Sequence, residues 1–580
     1  MVNIIGFCMS HSGTACMMQD GVLTAAVQEE RLSRIKFDAG FPKLAIKKVI
    51  EIANTDPREI DQVAIGTLCE VFNSNEVQEG EKRLTTKLVA LISLFFPSSI
   101  TGSKFLEWLY VKTVGTMNMS SFYKEHLQYF TDIGIPREKI VFYDHHSCHA
   151  AAAYFSSPSR EKTLIVTCDG NGDGLCATAS IGEGDKIERK VGIHSIHSMG
   201  GLYARFTHFL GMAPWQDEYK VMGMAPWGAP RTGKKSPKGE WVREELHKMW
   251  EVRGLKFYNK CGYAGDVLID YLTDKFRNVR FDHLCYGLQA HLEDILSTWI
   301  GNLINHFGVK RVALAGGVFL NVKANKHLLD TLPIEDIFIF PASGDDNISI
   351  GAAIVASQNL GIKEFKPLKD LYLGEDIKDK TEAFIKNFKK EGYKITKHDD
   401  IAEKVAELLA DNKVVARCAG RMEFGPRALG NRTLLSNPSS LTNVQILNKM
   451  IKSRDFWMPF AGTVLDECAD EYMKNTREAP YMILAFDTRE ENWHKIQAAT
   501  HQADKTIRPQ ILKRDWNPDY YDIIDKFRKK TGIGLVLNTS LNLHGEPMVN
   551  TPEEAFAVME RSALEYLVLE GGYLITKIVP

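Results

Sequence analysis

A chain of 580 residues is too long for one ordinary hydrophobic core, so two or more domains are expected. Hydrophobic content of 44%, charged content of 25% and a formal net charge of −2 describe a globular protein and argue against a large phosphate-backbone footprint. The ten cysteines form no CxxC pair, which argues against a zinc ribbon or disulfide framework and fits a reducing compartment.

The N-terminus "MVNIIGFCMSHSG" lacks a basic n-region and a long apolar run, so no signal peptide is read. Residues 3–9, "NIIGFCM", read as a buried strand, followed by two apolar runs joined at Asp20-Gly21, a hairpin signal. The most apolar stretch, "LVALISLFF" (88–96), is too short to span a bilayer, and a cytoplasmic protein is expected. It falls in an insertion at about 70–137, read as a helical subdomain or as a wall of an acceptor pocket.

"YDHHSCHAAAAYF" (143–155) places His145 and His149 at i and i+4 of a helix, where both rings share one face and can grip one metal ion. A hydrogen-bonded histidine pair at a helix start is the alternative. The opening pattern then returns: "KTLIVTCDG" (162–170), "NGDG" and another strand pair around a Gly-rich turn. Two strand–loop–hairpin units predict a duplicated α/β domain with a cleft, as in the actin-like ATPase architecture, where Gly-containing turns approach phosphates. Asp169 ends a strand and Asp345 sits in a tight turn. With the two histidines they make an N₂O₂ set suited to Fe(II), Zn or Mn acting as a Lewis acid. After residue 358 a polar stretch reads as a connector, and a new α/β unit begins near 398. There Arg427 and Arg432 of "GPRALGNR", with Lys452, Arg454 and Arg508, form a cationic set, and the arginines sit among Gly, Pro, Ala and Leu rather than on a polar stripe, which predicts anion binding.

The segments "GFCMSHSGTACMMQDGVLTAAVQEERLSRIKFDAGFP", "DHHSCHAAAAYF", "EYKVMGMAPWG", "AGGVFLNVKANKHL", "SGDDNISIGAA", "FGPRALGNR" and "VLNTSLNLHGEPM" resemble the O-carbamoyltransferases of nodulation-factor and antibiotic biosynthesis. The motifs fall in order over about 1–67 and 140–580. The resemblance implies an actin-like, threonylcarbamoyltransferase-like domain (1–358), a connector (359–397) and a YrdC-like α/β domain (398–580). It implies that the C-terminal site makes carbamoyl-adenylate and pyrophosphate from carbamoyl phosphate and ATP with Mg²⁺. The N-terminal site then uses a divalent transition metal, typically Fe(2+), to transfer the carbamoyl group to a small hydroxylated acceptor.

Carried over by position, the metal ligands fall on His145, His149, Asp169 and Asp345, and the carbamoyl-handling pair on His11 and Lys36. The adenylate would lie against Gly172, Asp173, Gly316, Gly317 and Asn321. Arg427, Arg432, Lys452, Arg508 and Ser540 would hold ATP and carbamoyl phosphate. His146 is left as a supporting residue. "MPFAG" (458–462) stands where many relatives read "RPFAP", and Arg454 is a substitute contact. "GDDN" leaves the ligand open between Asp345 and Asp346. Neither nucleic acid nor a membrane span is expected as a partner, and a homodimer is left open. Three other readings fit the fold: hydrogenase maturation, which the missing CxxC disfavours, a tRNA threonylcarbamoyl enzyme, which the near-neutral charge disfavours, and a non-enzymatic nucleotide-binding regulator.

Overall fold

A computed structural model of the chain describes residues 1–68, 126–229, 236–448 and 455–578. Most of the 70–137 insertion lies outside the described residues, as do Lys452 and Arg454. The chain divides into two units: Met1–Glu29 with Phe37–Leu368, and Glu30–Lys36 with Lys369–Pro580.

The first unit holds two sheets of one design. Strands β1 (Asn3–Cys8), β2 (Thr14–Gln19), β3 (Val22–Gln28), β4 (Gln62–Ile65) and β5 (Ile140–Phe142) run in the order β3-β2-β1-β4-β5. Strands β6 (Thr163–Gly172), β7 (Leu175–Glu183) and β8 (Lys186–His194) follow. After a separate hairpin of β9 (Trp250–Arg253) and β10 (Lys256–Asn259) come β11 (Arg311–Ala315) and β12 (Asp336–Ile339), giving β8-β7-β6-β11-β12. In each sheet the first three strands are antiparallel and the last two run parallel to the first. This repeated order is the duplicated actin-like arrangement.

Local chemistry accounts for the hairpins. Asp20 and Gly21 carry φ of 46° and 77° between the paired Gln19 and Val22, and Asp173 and Gly174 carry 51° and 88° between Gly172 and Leu175. Both are two-residue turns with two left-handed positions, which Asp-Gly tolerates and which match the twist of the flanking strands. The central strands are buried along almost their full length, as β1 and the first eight residues of β6 show. The segments at the ends of β1, β5, β6, β11 and β12 hold the candidate site residues, at the carboxyl ends of parallel strands where α/β sheets bind ligands.

The second unit is built on an eight-stranded mixed sheet. Its strands are β13 (Tyr393–Lys397), β14 (Val415–Cys418), β15 (Arg432–Ser436), β16 (Ala461–Leu465), β19 (Pro509–Leu512), β20 (Leu535–Ser540), β21 (Tyr566–Leu569) and β22 (Tyr573–Lys577). They run β13-β22-β21-β14-β15-β20-β16-β19, with a small pair of β17 (Phe486–Asp487) and β18 (Thr506–Ile507) beside them. The stretch 359–397 carries structure of its own. The helix Lys378–Asn387 buries only Thr381, and β13 is an edge strand pairing β22, so both read as polar. Edge strands and exposed helices lack the apolar run that marks an element in sequence. Among the described residues no helix is long and apolar enough to cross a membrane.

Candidate functional site

Asp144 caps the helix His145–Ser156 by accepting the Ser147 N–H at 2.7 Å. This fixes the first turn, so that His145 and His149 project from one face. Asp169 comes from β6, and Asp345 from the turn after β12. One ligand atom from each of His145, His149, Asp169 and Asp345 lies within 4.8 Å of the others, and all four residues are buried. His149 Nε2 stands 3.0 Å from Asp169 Oδ2 and 3.8 Å from Asp345 Oδ1, and His145 Nε2 stands 3.5 Å and 3.7 Å from the same two oxygens.

Asn347 orients the His149 ring as a metal ligand requires. Asn347 Nδ2 donates to the carbonyls of Ala342 and Ser343, so its Oδ1 is an acceptor, and His149 Nδ1, at 2.8 Å from it, must be the donor. That directs His149 Nε2 at the carboxylates, where it would offer its lone pair to a metal. His145 Nε2 is buried with no hydrogen-bond partner. Gly172 makes its place: a Cβ there would lie 2.1 Å from His145 Cδ2. Asp173 braces the same helix, accepting the His145 N–H at 2.8 Å as well as Thr67 Oγ1 and Leu68 N. Its carboxylate is therefore a strut under the site.

Electrostatics at the cluster demand positive charge. Burial opposes an imidazolium at His145, yet Asp169, Asp345 and Asp173 raise its pKa to about 10. Burial raises Asp169 in turn, but both histidines pull it well below the usual carboxylate range. Burial and then the Asp169 charge push Asp345 up. Two carboxylates in a dry site need a cation between them, and a metal that displaces the imidazole proton supplies one. The orphaned His145 Nε2, the oriented His149 Nε2 and the two carboxylate oxygens fit a four-ligand divalent site.

His146 points elsewhere. Its Nδ1 meets Thr167 Oγ1 at 2.8 Å, and burial with the charges of its two neighbours lowers its pKa to about 3, so it stays neutral and structural. Geometry separates the paired aspartates. Asp346 Oδ1 accepts from Ser12 Oγ at 2.8 Å and Gln28 Nε2 at 3.1 Å, whereas Asp345 joins the metal set. His11 Nδ1 is 3.4 Å from Asp345 Oδ2 and its side chain is 42% exposed, so it stands at the open side of the cluster. Gly317 abuts Asp169 Oδ1, and Gly316 (φ 102°) passes against the Cys168 backbone. Asn321 caps the helix Val322–Thr331 and exchanges two hydrogen bonds with Gln289. Lys36 is exposed on Glu30–Lys36, which groups with the second unit through Arg31 to Gly425 O and Arg34 to Met548 O.

In the second unit, β20 runs antiparallel to β15 and β16, while β19 runs parallel to β16. The starts of β15, β16 and β19 and the end of β20 therefore share one sheet edge. Arg427 precedes β15, Arg508 precedes β19 and Ser540 ends β20, and all three are partly exposed there. Arg432 is a correction. Expected to grip phosphate, it is fully buried, and its guanidinium donates to the carbonyls of Ala419, Gly420, Asn431 and Asn550. Its apolar neighbours in sequence signal burial itself, and it holds the "FGPRALGN" loop from below. Lys452 lies outside the described residues.

The carbamoyltransferase N-terminus family model matches residues 3–354, and the carbamoyltransferase C-terminus model matches residues 406–577. The chain belongs to the carbamoyltransferase family. Nodulation protein NolNO of Sinorhizobium fredii is 31% identical over 98% of this chain and 79% of its own length. Nodulation protein NolO of Bradyrhizobium diazoefficiens is 32% identical over 75% of this chain and 79% of its own. Full-length HypF in its phosphate- and nucleotide-bound form, at a TM-score of 0.32 and 14% identity, covers 63% of this chain and 56% of that one, too distant to argue from.

Two residues of this carbamoyltransferase escaped sequence reasoning. Asn347, fully buried, sets the His149 tautomer, and its place in "GDDN" two residues after Asp345 was the available signal. Glu423, 1% exposed, accepts the N–H groups of Leu429, Asn431 and Arg432 on one oxygen. With Tyr372, Gln510 and Asn538 donating to carbonyls of Leu429 and Ala428, it suspends the Arg427 loop from a polar underlay.

Proposed function

We propose that this carbamoyltransferase is an ATP-dependent O-carbamoyltransferase acting on a hydroxyl of a secondary metabolite or glycan in the cytoplasm. Carbamoyl phosphate, ATP, water and an alcohol ROH give ROC(O)NH₂, AMP, pyrophosphate and phosphate, through carbamoyl-adenylate. The adenylate-forming half-reaction falls to the edge of the second unit carrying Arg427, Arg508 and Ser540, with Lys452 as a further expected phosphate contact. Guanidinium forks there match phosphate oxygens, and Mg²⁺ accompanies ATP.

Transfer falls to the first unit. His145, His149, Asp169 and Asp345 would hold the metal, expected to be Fe(2+), which supplies Lewis acidity toward the carbamoyl carbonyl. Asp345 beside His11 Nδ1 favours the proton on that nitrogen, leaving Nε2 as the base that takes the acceptor proton. Gly172, Gly316 and Gly317 keep the walls low where the adenylate is expected, and Asn321 borders it. AMP leaves as the alcohol oxygen bonds to the carbonyl carbon.

The observation that carries this reading is the convergence of two imidazoles and two carboxylates within 4.8 Å in a buried site. The purified protein should contain close to one transition-metal ion, and His149→Ala should lose both the metal and transfer from supplied carbamoyl-adenylate while still releasing pyrophosphate. Full metal content with full transfer in His149→Ala would sink the assignment.

A further inference from the structure

Trp215 stands in a conformation its side chain does not favour. Its φ is 67°, a left-handed value that is an outlier for a bulky residue, and the indole remains 41% exposed. Strain of this kind persists only when the surroundings impose it, and it gathers at ligand clamps. Here Glu218 imposes it, its Oε1 accepting the Trp215 N–H at 2.6 Å. The loop is closed a second time by Asp217, whose N–H donates to Ala213 O at 2.9 Å while its carboxylate accepts the Ala213 N–H at 3.2 Å.

The ring lies beside the residue that follows a candidate metal ligand. It packs on Gly170, where a Cβ would lie 2.5 Å from Trp215 Cζ3 and 2.8 Å from Cη2. Gly170 follows Asp169 directly and donates its N–H to Asp169 Oδ1 at 2.7 Å. Glu218 is itself partly buried, so the brace is held in place. An apolar plane thus rises one residue from a metal ligand, on the side still open to solvent.

We propose that Trp215 is the acceptor platform, stacking on the C–H face of a hydroxylated ring such as a pyranoside so that one ring hydroxyl reaches His11 and the carbamoyl group. Glu218 is its positioning residue. The inference rests on the O-carbamoyl transfer proposed above and names the acceptor class. A planar indole selects a molecule whose apolar face and hydroxyls lie on one rigid ring, and it discriminates against flexible acyclic alcohols.

The test compares wild type, Trp215→Gly and Trp215→Phe with carbamoyl phosphate, ATP and a set of methyl glycopyranosides, using acyclic polyols as controls. Wild type should carbamoylate at least one glycoside in preference to the polyols. Trp215→Gly should raise the acceptor KM by about threefold to tenfold, the range of one aromatic contact. It should melt no lower than wild type, because glycine relieves the left-handed backbone. Trp215→Phe should keep most of the acceptor affinity. Pyrophosphate release without acceptor should be the same in all three.

A wild-type acceptor KM in Trp215→Gly would overturn the platform, and so would a wild type that releases pyrophosphate yet carbamoylates no glycoside. An equal loss in acceptor-free hydrolysis of supplied carbamoyl-adenylate would give the indole to the adenylate and overturn it as well. A wild type releasing no pyrophosphate at all would strike the underlying reading first, and this inference with it.

Discussion

Gly172→Ala is the sharpest perturbation of the metal centre, because it changes no ligand. The added Cβ would lie 2.1 Å from Cδ2, 2.4 Å from Cγ and 2.5 Å from Nε2 of His145, where ordinary contact begins near 3.4 Å. The backbone at 172 is outside the left-handed region, so alanine itself is tolerated there. The imidazole must therefore move by about 1 Å, and a close-packed interior offers it little room. His145 is 4% exposed and flanked by the rings of His146 and His149 at 5.3 Å and 4.7 Å. Metal–ligand distances tolerate about 0.2 Å, so one of four bonds is lost or badly bent. Affinity should fall by about 10–100-fold or more, with an overpacking cost of about 1–3 kcal/mol. Chelator competition reads the affinity, and thermal melting of the metal-free protein reads the packing. A folded Gly172→Ala protein that binds metal as tightly as wild type would refute the steric argument.

Arg432→Ala should cost about 3 kcal/mol or more, since it strands buried carbonyls and leaves a cavity, and thermal melting measures it. Arg427→Ala should leave the melting temperature nearly unchanged but slow pyrophosphate release by about tenfold or more, the scale of a charge-assisted hydrogen bond. His11→Ala should lower single-turnover transfer from supplied carbamoyl-adenylate by about 10²–10⁴-fold while pyrophosphate release continues, and a destabilised variant with normal transfer would make His11 a brace. Asp294 bonds to Arg243 and to His247 at 2.9 Å, and although burial raises its pKa these partners lower it below the ordinary value. A depressed carboxylate stabilises the fold fully above its unfolded pKa of about 3.9 and loses that contribution as pH falls below it. Asp294→Asn should therefore flatten the acid limb of the stability profile, read by denaturant melts from pH 6 to about 3.

What the sequence revealed follows from how local each feature is. Asp20-Gly21 announces a hairpin because two left-handed positions are a property of two residues, and φ values of 46° and 77° agree. His145 and His149 announce a shared face because the helical repeat is fixed over four residues. The Asp345–Asp346 choice was not legible, since both occupy one turn and Asp346 is claimed by Ser12 and Gln28, more than 300 residues away. Arg432 misled for a related reason. An arginine among Gly, Ala and Leu reads as a cation awaiting an anion, whereas here backbone carbonyls brought together by the fold satisfy it. Gly172 read as a low wall beside a phosphate, and the structure shows that it also makes room for an imidazole. That steric role depends on a helix more than 20 residues upstream in the chain, which no local pattern encodes.

The central claim is that carbamoyl transfer passes through an adenylate and a metal-holding cluster. It is tested most directly by supplying metal-loaded protein with ¹³C-carbamoyl phosphate and ATP and following label and nucleotide together by NMR and mass spectrometry. The account predicts labelled carbamoyl-adenylate, one pyrophosphate for each adenylate formed, and AMP appearing as label moves to an added hydroxyl acceptor. Label reaching the acceptor with phosphate released, but with ATP intact, would mean direct transfer from carbamoyl phosphate and would contradict it.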